Sequence, residues 1–141
     1  VPGEKHLRIE VGMRHGHPAG WAPQEIGLFI DSKCRNGKPL PVLGEPRTGK
    51  DSVKVTVNTA PPTKLQKAEL HYTTDDGPRS KRKWITVPAA ISPDVTETNS
   101  AITTQVNEIT APKPPAEANT WFITVTDERD AMVSTMVQLR P

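Results

Sequence analysis

Apolar and polar positions alternate at the start of the chain and then change period. Leu7, Ile9, Val11 and Met13 are separated by Arg8, Glu10 and Gly12, the two-residue repeat of a strand with one buried face. From Pro23 onward, Ile26, Phe29, Ile30 and Cys34 fall at i, i+3, i+4 and i+8, one stripe of a helix. Pro23 suits the first helical turn, Glu25 lies favourably against the positive end of the helix dipole, and Asn36-Gly37 supplies a left-handed stop. The pattern therefore predicts a helix through about residue 36. Between strand and helix lies Arg14-His15-Gly16-His17-Pro18-Ala19-Gly20-Trp21, a turn that places two imidazoles between regular elements.

The stretch Lys38-Pro39-Leu40-Pro41-Val42-Leu43-Gly44-Glu45-Pro46 is too rich in proline for either regular element and reads as a linker. It divides the chain into a first segment, residues 1–44, and a second unit, residues 45–141. In the second unit, strand-like runs occur at Val53–Val57, Ala68–Tyr72, Trp84–Val87, Ile102–Val106, Trp121–Val125 and Val133–Leu139. Turn chemistry separates them: Ala60-Pro61-Pro62, Asp75-Asp76-Gly77-Pro78, Pro93-Asp94, Pro112 to Pro115, and Asp127-Glu128-Arg129-Asp130. Short strands so punctuated predict a mainly β fold, an antiparallel sandwich of immunoglobulin or fibronectin type. The last two runs should form a hairpin with Trp121, Ile123 and Val125 facing inward, and no internal repeat is visible.

Composition sharpens this picture. A hydrophobic fraction of 34% allows only a modest core, and fifteen prolines against nine glycines favour short strands with stiffened connections. Eighteen basic against sixteen acidic residues leave a net charge of +2, too small to attract a polyanion at long range. Cys34 is the single cysteine, so no intramolecular disulfide is possible; on the helical stripe it reads as a small core residue. No apolar run is long enough to span a bilayer. The start Val1-Pro2-Gly3-Glu4-Lys5 reads as that of a processed or excised piece, which leaves the question of export open.

A strand, a sharp turn carrying histidine and a closing helix are also how an α/β-hydrolase domain ends, its triad running in the order Ser, acid, His. The words His15-Gly16-His17-Pro18-Ala19-Gly20-Trp21-Ala22-Pro23-Gln24-Glu25-Ile26, then Phe29-Ile30-Asp31-Ser32, resemble the catalytic-histidine end of secreted bacterial serine hydrolases. These are the acetyl xylan esterases, dienelactone-hydrolase-like proteins and prolyl-oligopeptidase-like peptidases. Further on, His71-Tyr72-Thr73-Thr74-Asp75-Asp76-Gly77-Pro78 with Lys81-Arg82-Lys83-Trp84, and Trp121-Phe122-Ile123-Thr124-Val125-Thr126-Asp127, resemble the C-terminal sandwich that some of them carry. The resemblance implies that His15 or His17 is the general base, His15 being favoured because a His-Gly pair follows the strand directly. It implies a pocket-wall role for Trp21, which equally suits a cover over the helix start, together with an acyl ester substrate and a secreted or periplasmic location.

The chain departs from that family at one decisive point: it contains no Gly-x-Ser-x-Gly elbow. Ser32, Ser52, Ser80, Ser92, Ser100 and Ser134 all follow the histidines and lack the flanking glycines. The chain alone is therefore expected to be inactive, with nucleophile and acid supplied by a missing N-terminal hydrolase portion. Without that portion the helix loses its sheet, so Ile26, Phe29 and Ile30 should be shielded by it or by another copy of the chain, or the first segment should be disturbed.

Other readings compete. His15 and His17 at i and i+2 suit zinc or copper, but a third ligand would have to come from Glu25, His6 or His71, and spacing singles out none. No metal or cofactor is therefore expected. Arg79-Ser80-Lys81-Arg82-Lys83-Trp84 has the makings of a phosphate- and base-binding run, yet Asp75 and Asp76 offset its field, and a solvated hairpin edge explains it as well. No nucleic-acid partner is expected. The alternative from a different class is a non-catalytic β-sandwich module that binds carbohydrate or a protein partner.

Overall fold

The computed structural model describes residues 3–14, 16–93, 95–99 and 102–140; His15, Asp94 and Ser100 lie outside them. Two short helical elements come first, α1 (His17–Trp21) and α2 (Gln24–Cys34). The strands follow as β1 (Val42–Leu43), β2 (Arg47–Thr48), β3 (Ser52–Thr59), β4 (Leu65–Thr73), β5 (Ile85–Pro88) and β6 (Ala90–Ile91). Then come β7 (Val95–Asn99), β8 (Ile102–Pro112), β9 (Thr120–Asp127), β10 (Met132–Ser134) and β11 (Gln138–Leu139). The fold is mainly β, as its sequence predicts.

All strand pairs are antiparallel. One sheet runs β1-β3-β8-β6, with β2 on β3 and β7 on β8; the other runs β10-β9-β4-β5, with β11 on β9. The two pack as a sandwich because each long strand turns its alternate apolar residues inward. Val53, Val55 and Val57 of β3 and Ile109 and Ala111 of β8 face Ala68 and Leu70 of β4 and Ile123, Val125 and Val133 of β9 and β10. Register keeps the apolar sets together, with Val55 opposite Ile109 and Leu70 opposite Ile123. Trp121 and Tyr72 pack against this cluster, Trp121 half-buried rather than enclosed.

Every strand-like run of the sequence is found, most of them longer than the apolar core that marks them. Val133–Leu139 is divided: β10 ends at Ser134, and the Thr135 Oγ1 accepts the Ile123 N–H at 3.0 Å, so a side chain interrupts the ladder. The proline-rich linker is more structured than its composition suggests, because it contains β1 and buries Leu40 in the core. At Leu7–Met13 the structure has no strand. With no parallel neighbour to pair with, Leu7 lies beside the β10 edge, its carbonyl accepting from Ser134 N at 2.7 Å while Ile9 N donates to the Ser134 Oγ at 2.9 Å. Gly12, at φ +79, ends this extended stretch in a turn.

The helix is where periodicity places it, and Asn36 takes the left-handed conformation at φ 54. Its faces differ from the expected single stripe. Glu25, Leu28 and Phe29 turn toward the sandwich, whereas Ile26, Ile30 and Cys34 form a second stripe that is exposed. Cys34 is thus a surface residue and not a core one.

Candidate functional site

The histidine turn contains one turn of helix, α1, that His17 opens and Trp21 closes. Pro18 fits the first turn of α1, where its missing N–H is no loss. The His17 and Trp21 rings lie on one side of that turn with centroids 6.0 Å apart, and both are exposed, Trp21 to 70%. Of the predicted site residues, the structure brings His17 and Trp21 together, and His15 is outside the described residues. Among the described residues no carboxylate or hydroxyl is hydrogen-bonded to His17, and no serine is bonded to a histidine.

The other candidate ligands are occupied elsewhere. Nε2 of His6 lies 2.6 Å from Glu4 Oε1, and its ring meets Phe29 edge-on at 5.7 Å. Glu4 also accepts from Lys33; that bond first and His6 second hold its carboxyl below the usual range. His71 is buried on the outer face of the second sheet, stacked on Phe122 at 4.9 Å, with Trp84 edge-on to the same ring at 5.3 Å. Its Nδ1 and Nε2 each lie 2.9 Å from a threonine hydroxyl, Thr86 and Thr124, so it links β5 to β9 across β4. Burial pushes the His71 pKa down; Glu69 opposes the shift and Lys67 reinforces it. No cluster of three metal-ligating side chains exists among the described residues.

What fixes the start of α2 and the chain after it is a set of polar groups whose role the sequence does not announce. Glu25, 7% exposed, accepts from Met132 N at 2.7 Å, and its second oxygen lies 3.1 Å from Arg8 Nε. Gln24 donates to the Arg129 carbonyl at 2.8 Å. The Arg129 guanidinium donates to the carbonyls of Lys38 and Pro39, each at 3.0 Å, and to the fully buried Asp127 carboxylate at 2.6 Å. Asp127 in turn accepts the N–H groups of Arg129 and Ala131 and so shapes the β9–β10 turn. The start of α2 and the linker after it are therefore fastened to one hairpin. The partners are about a hundred residues apart in sequence, as with Glu25 and Met132, so no local pattern reveals them.

The basic run is likewise used for structure. Arg82 donates to the Gly77 carbonyl at 2.9 Å and to the Thr120 hydroxyl at 3.2 Å, and Asp75 accepts the Lys83 N–H at 2.7 Å. A cavity of about 560 Å³ opens between residues 4–8, α2 and the start of β10. Among the described residues, no helix is long and apolar enough to cross a membrane.

No family model matches the chain, and neither a curated protein nor a solved structure is significantly similar to it.

Proposed function

We propose that the chain supplies the general-base histidine and an accessory sandwich to a serine hydrolase whose nucleophile and acid come from polypeptide outside this sequence. The reaction is acyl transfer to water, with an ester or peptide substrate, and His15 or His17 relays the proton. Residues 1–44 are on this reading the end of the hydrolase domain, and residues 45–141 an immunoglobulin- or fibronectin-like sandwich. Trp21 lines the substrate pocket. Secretion or export to the periplasm goes with the same reading.

One observation carries the proposal. α2 is apolar on two faces; one packs on the sandwich, and the other presents Ile30 at 49% and Ile26 at 39% exposure, while Trp21, at the end of the preceding α1, is exposed to 70%. A helix built to meet only the sandwich has no use for the second stripe, whereas a helix enclosed between the sandwich and a hydrolase body needs both. The test is hydrolysis of p-nitrophenyl acetate by the product of the full reading frame. His15→Ala or His17→Ala, whichever removes the base, is expected to lower kcat by about a thousandfold or more. Less than a threefold loss in both overturns the reading. The 141-residue chain alone should hydrolyse the ester no faster than its double histidine variant.

A second reading, a non-catalytic sandwich module for carbohydrate or a protein partner, is favoured by the fastening of α2 through Glu25 and Arg129, which makes the first segment an integral part of the sandwich.

A further inference from the structure

The far end of α2 takes no part in the proposed hydrolysis. Asn36 adopts the left-handed conformation there, at φ 54, and the chain folds back so that Gly37 N donates to the Asp31 carbonyl at 3.0 Å, which also accepts from Arg35 N at 2.9 Å. A β-carbon at residue 37 would stand 3.0 Å from the Asp31 carbonyl carbon and 3.1 Å from the Asp31 Cβ, so the turn has room only for glycine. The fold thus has its own reasons to set asparagine before glycine. Of Asn36, Asn58, Asn99, Asn107 and Asn119, only Asn36 precedes a glycine.

That pair has a chemistry of its own, because asparagine is a labile residue and a glycine nitrogen is the least hindered nucleophile a backbone offers it. The Gly37 nitrogen bonds to the Asn36 Cγ and gives up its proton, and the side-chain nitrogen leaves with that proton as ammonia. Water then opens the five-membered imide at either carbonyl, yielding aspartate or an isoaspartate whose main chain runs through the former side chain. Asn36 is exposed to water, and its amide makes no hydrogen bond among the described residues. The restraint lies on the nucleophile, held in the cap while its N–H is given to Asp31. Glu25 and Gln24 fasten only the start of α2, and Arg129 takes hold again at Lys38 and Pro39; between them the cap rests on the Asp31 carbonyl and the exposed Arg35–Asp31 ion pair, a contact of small worth. A turn held in this way opens without unfolding the sandwich. We propose that Asn36 is a spontaneous deamidation site whose rate is set by opening of the α2 cap and whose product keeps that cap open. Aspartate adds a negative charge at the helix C-terminus, where the dipole opposes it, and isoaspartate adds a methylene to the chain just before Gly37, so the Gly37 N–H no longer meets Asp31.

One N–H must be released both for amide exchange and for ring closure, which makes the test quantitative. The 141-residue chain and a synthetic peptide of residues 31–41 are incubated side by side at neutral pH, and aspartate plus isoaspartate at position 36 is followed by peptide mass mapping. Asn36→Gly, which suits the left-handed turn, is the blank, and the same map resolves Asp76-Gly77, the other pair able to close such a ring. Amide exchange of Gly37 gives the fraction of time its N–H is free, expected to be on the order of one part in ten. Modification in the chain should be slower than in the peptide by that same factor, to within about threefold. In the purified isoaspartate form, the amide of Arg35, which shares the Asp31 carbonyl, should exchange at least about threefold faster, with β3 and β8 unchanged. The proposal is overturned if Asn36 reacts at the peptide's rate while Gly37 N–H is protected, if it stays intact well past the time that the exchange factor sets, or if Arg35 keeps its protection in the isoaspartate form.

Discussion

In the sandwich, Val53, Val55, Val57 and Ile109 are shut off from water between two sheets, whereas α2, one turn after the histidines, buries a single side chain, and that one is the carboxylate of Glu25. The sandwich is closed by apolar area, which accumulates over many residues and is indifferent to direction. The first segment is fastened by a few directed bonds to the β10 edge and the β9–β10 turn, with a cavity of about 560 Å³ beside the helix. A region fastened in this way opens more cheaply than a packed one. The difference also protects the fold: Leu7, Ile9 and Glu25 occupy hydrogen-bonding positions along a strand edge that would otherwise be free to pair with another chain.

The largest effect should come from the sandwich. Ile109→Ala leaves a hole among fully buried side chains of both sheets and is expected to cost about 2–5 kcal/mol. The loss is global, seen as a lower denaturant midpoint for every probe. Glu25→Ala should behave differently. Removing the acceptor of Met132 N is expected to cost about 1–3 kcal/mol, expressed first as faster amide exchange along Gln24–Cys34. Equal loss of protection in β3 and β8 would show that the two regions unfold as one and would break the comparison.

A pH dependence should set the sandwich apart again. His71 is held neutral by burial, with a folded pKa below its ordinary value of 6.5. Above 6.5 both folded and unfolded chains carry a neutral ring, and the contribution is constant. Below it the unfolded chain binds the proton first, so stability falls with pH until the folded value is passed. Chemical denaturation at about pH 7.5 and about pH 5.5 should show this loss, and His71→Gln should flatten it. The Glu4 carboxyl, lowered from 4.5, contributes only further down, since its stabilisation is lost as pH falls through a still lower value. A parallel pH profile in His71→Gln would assign the effect to another group.

How much of this the sequence discloses follows the same division. Alternation locates the strands of the sandwich, because burying one face of a strand leaves a local mark at every second residue. It fails at Leu7–Met13, where alternation is present but no ladder partner is, at β7, whose sequence Val95-Thr96-Glu97-Thr98-Asn99 has no apolar run to mark it, and at the two-residue strands β1, β2 and β6, which are too short to show a period. The helix is legible through Pro23 and Asn36, but its stripe of Ile26, Phe29, Ile30 and Cys34 is two faces read as one. Glu25 is visible only as a charge near a helix start, and Arg129 only as a turn residue; their partners are set by the folded topology and by nothing adjacent to them. His17 and Trp21 meet as their spacing in one helical turn requires, while the absence of a hydroxyl or carboxylate bonded to His17 among the described residues is not readable from the turn itself.

The smallest expected effect bears most directly on why the second apolar stripe exists. Ile30 is 49% exposed, so Ile30→Ser should change the stability of the 141-residue chain by no more than about 0.5 kcal/mol. Phe29, the adjacent residue on the inward face, packs against the sandwich core, and its replacement by serine should cost more. Near-neutrality at Ile30 would mean that the stripe of Ile26, Ile30 and Cys34 contributes nothing to this chain's own folding, and its apolar character must then answer to something that covers it. A loss above about 1.5 kcal/mol at Ile30 would instead count it as packed, in the range of core truncations. The contrast between the two faces of α2 would then disappear, and with it the reason to look for a body beyond the sandwich.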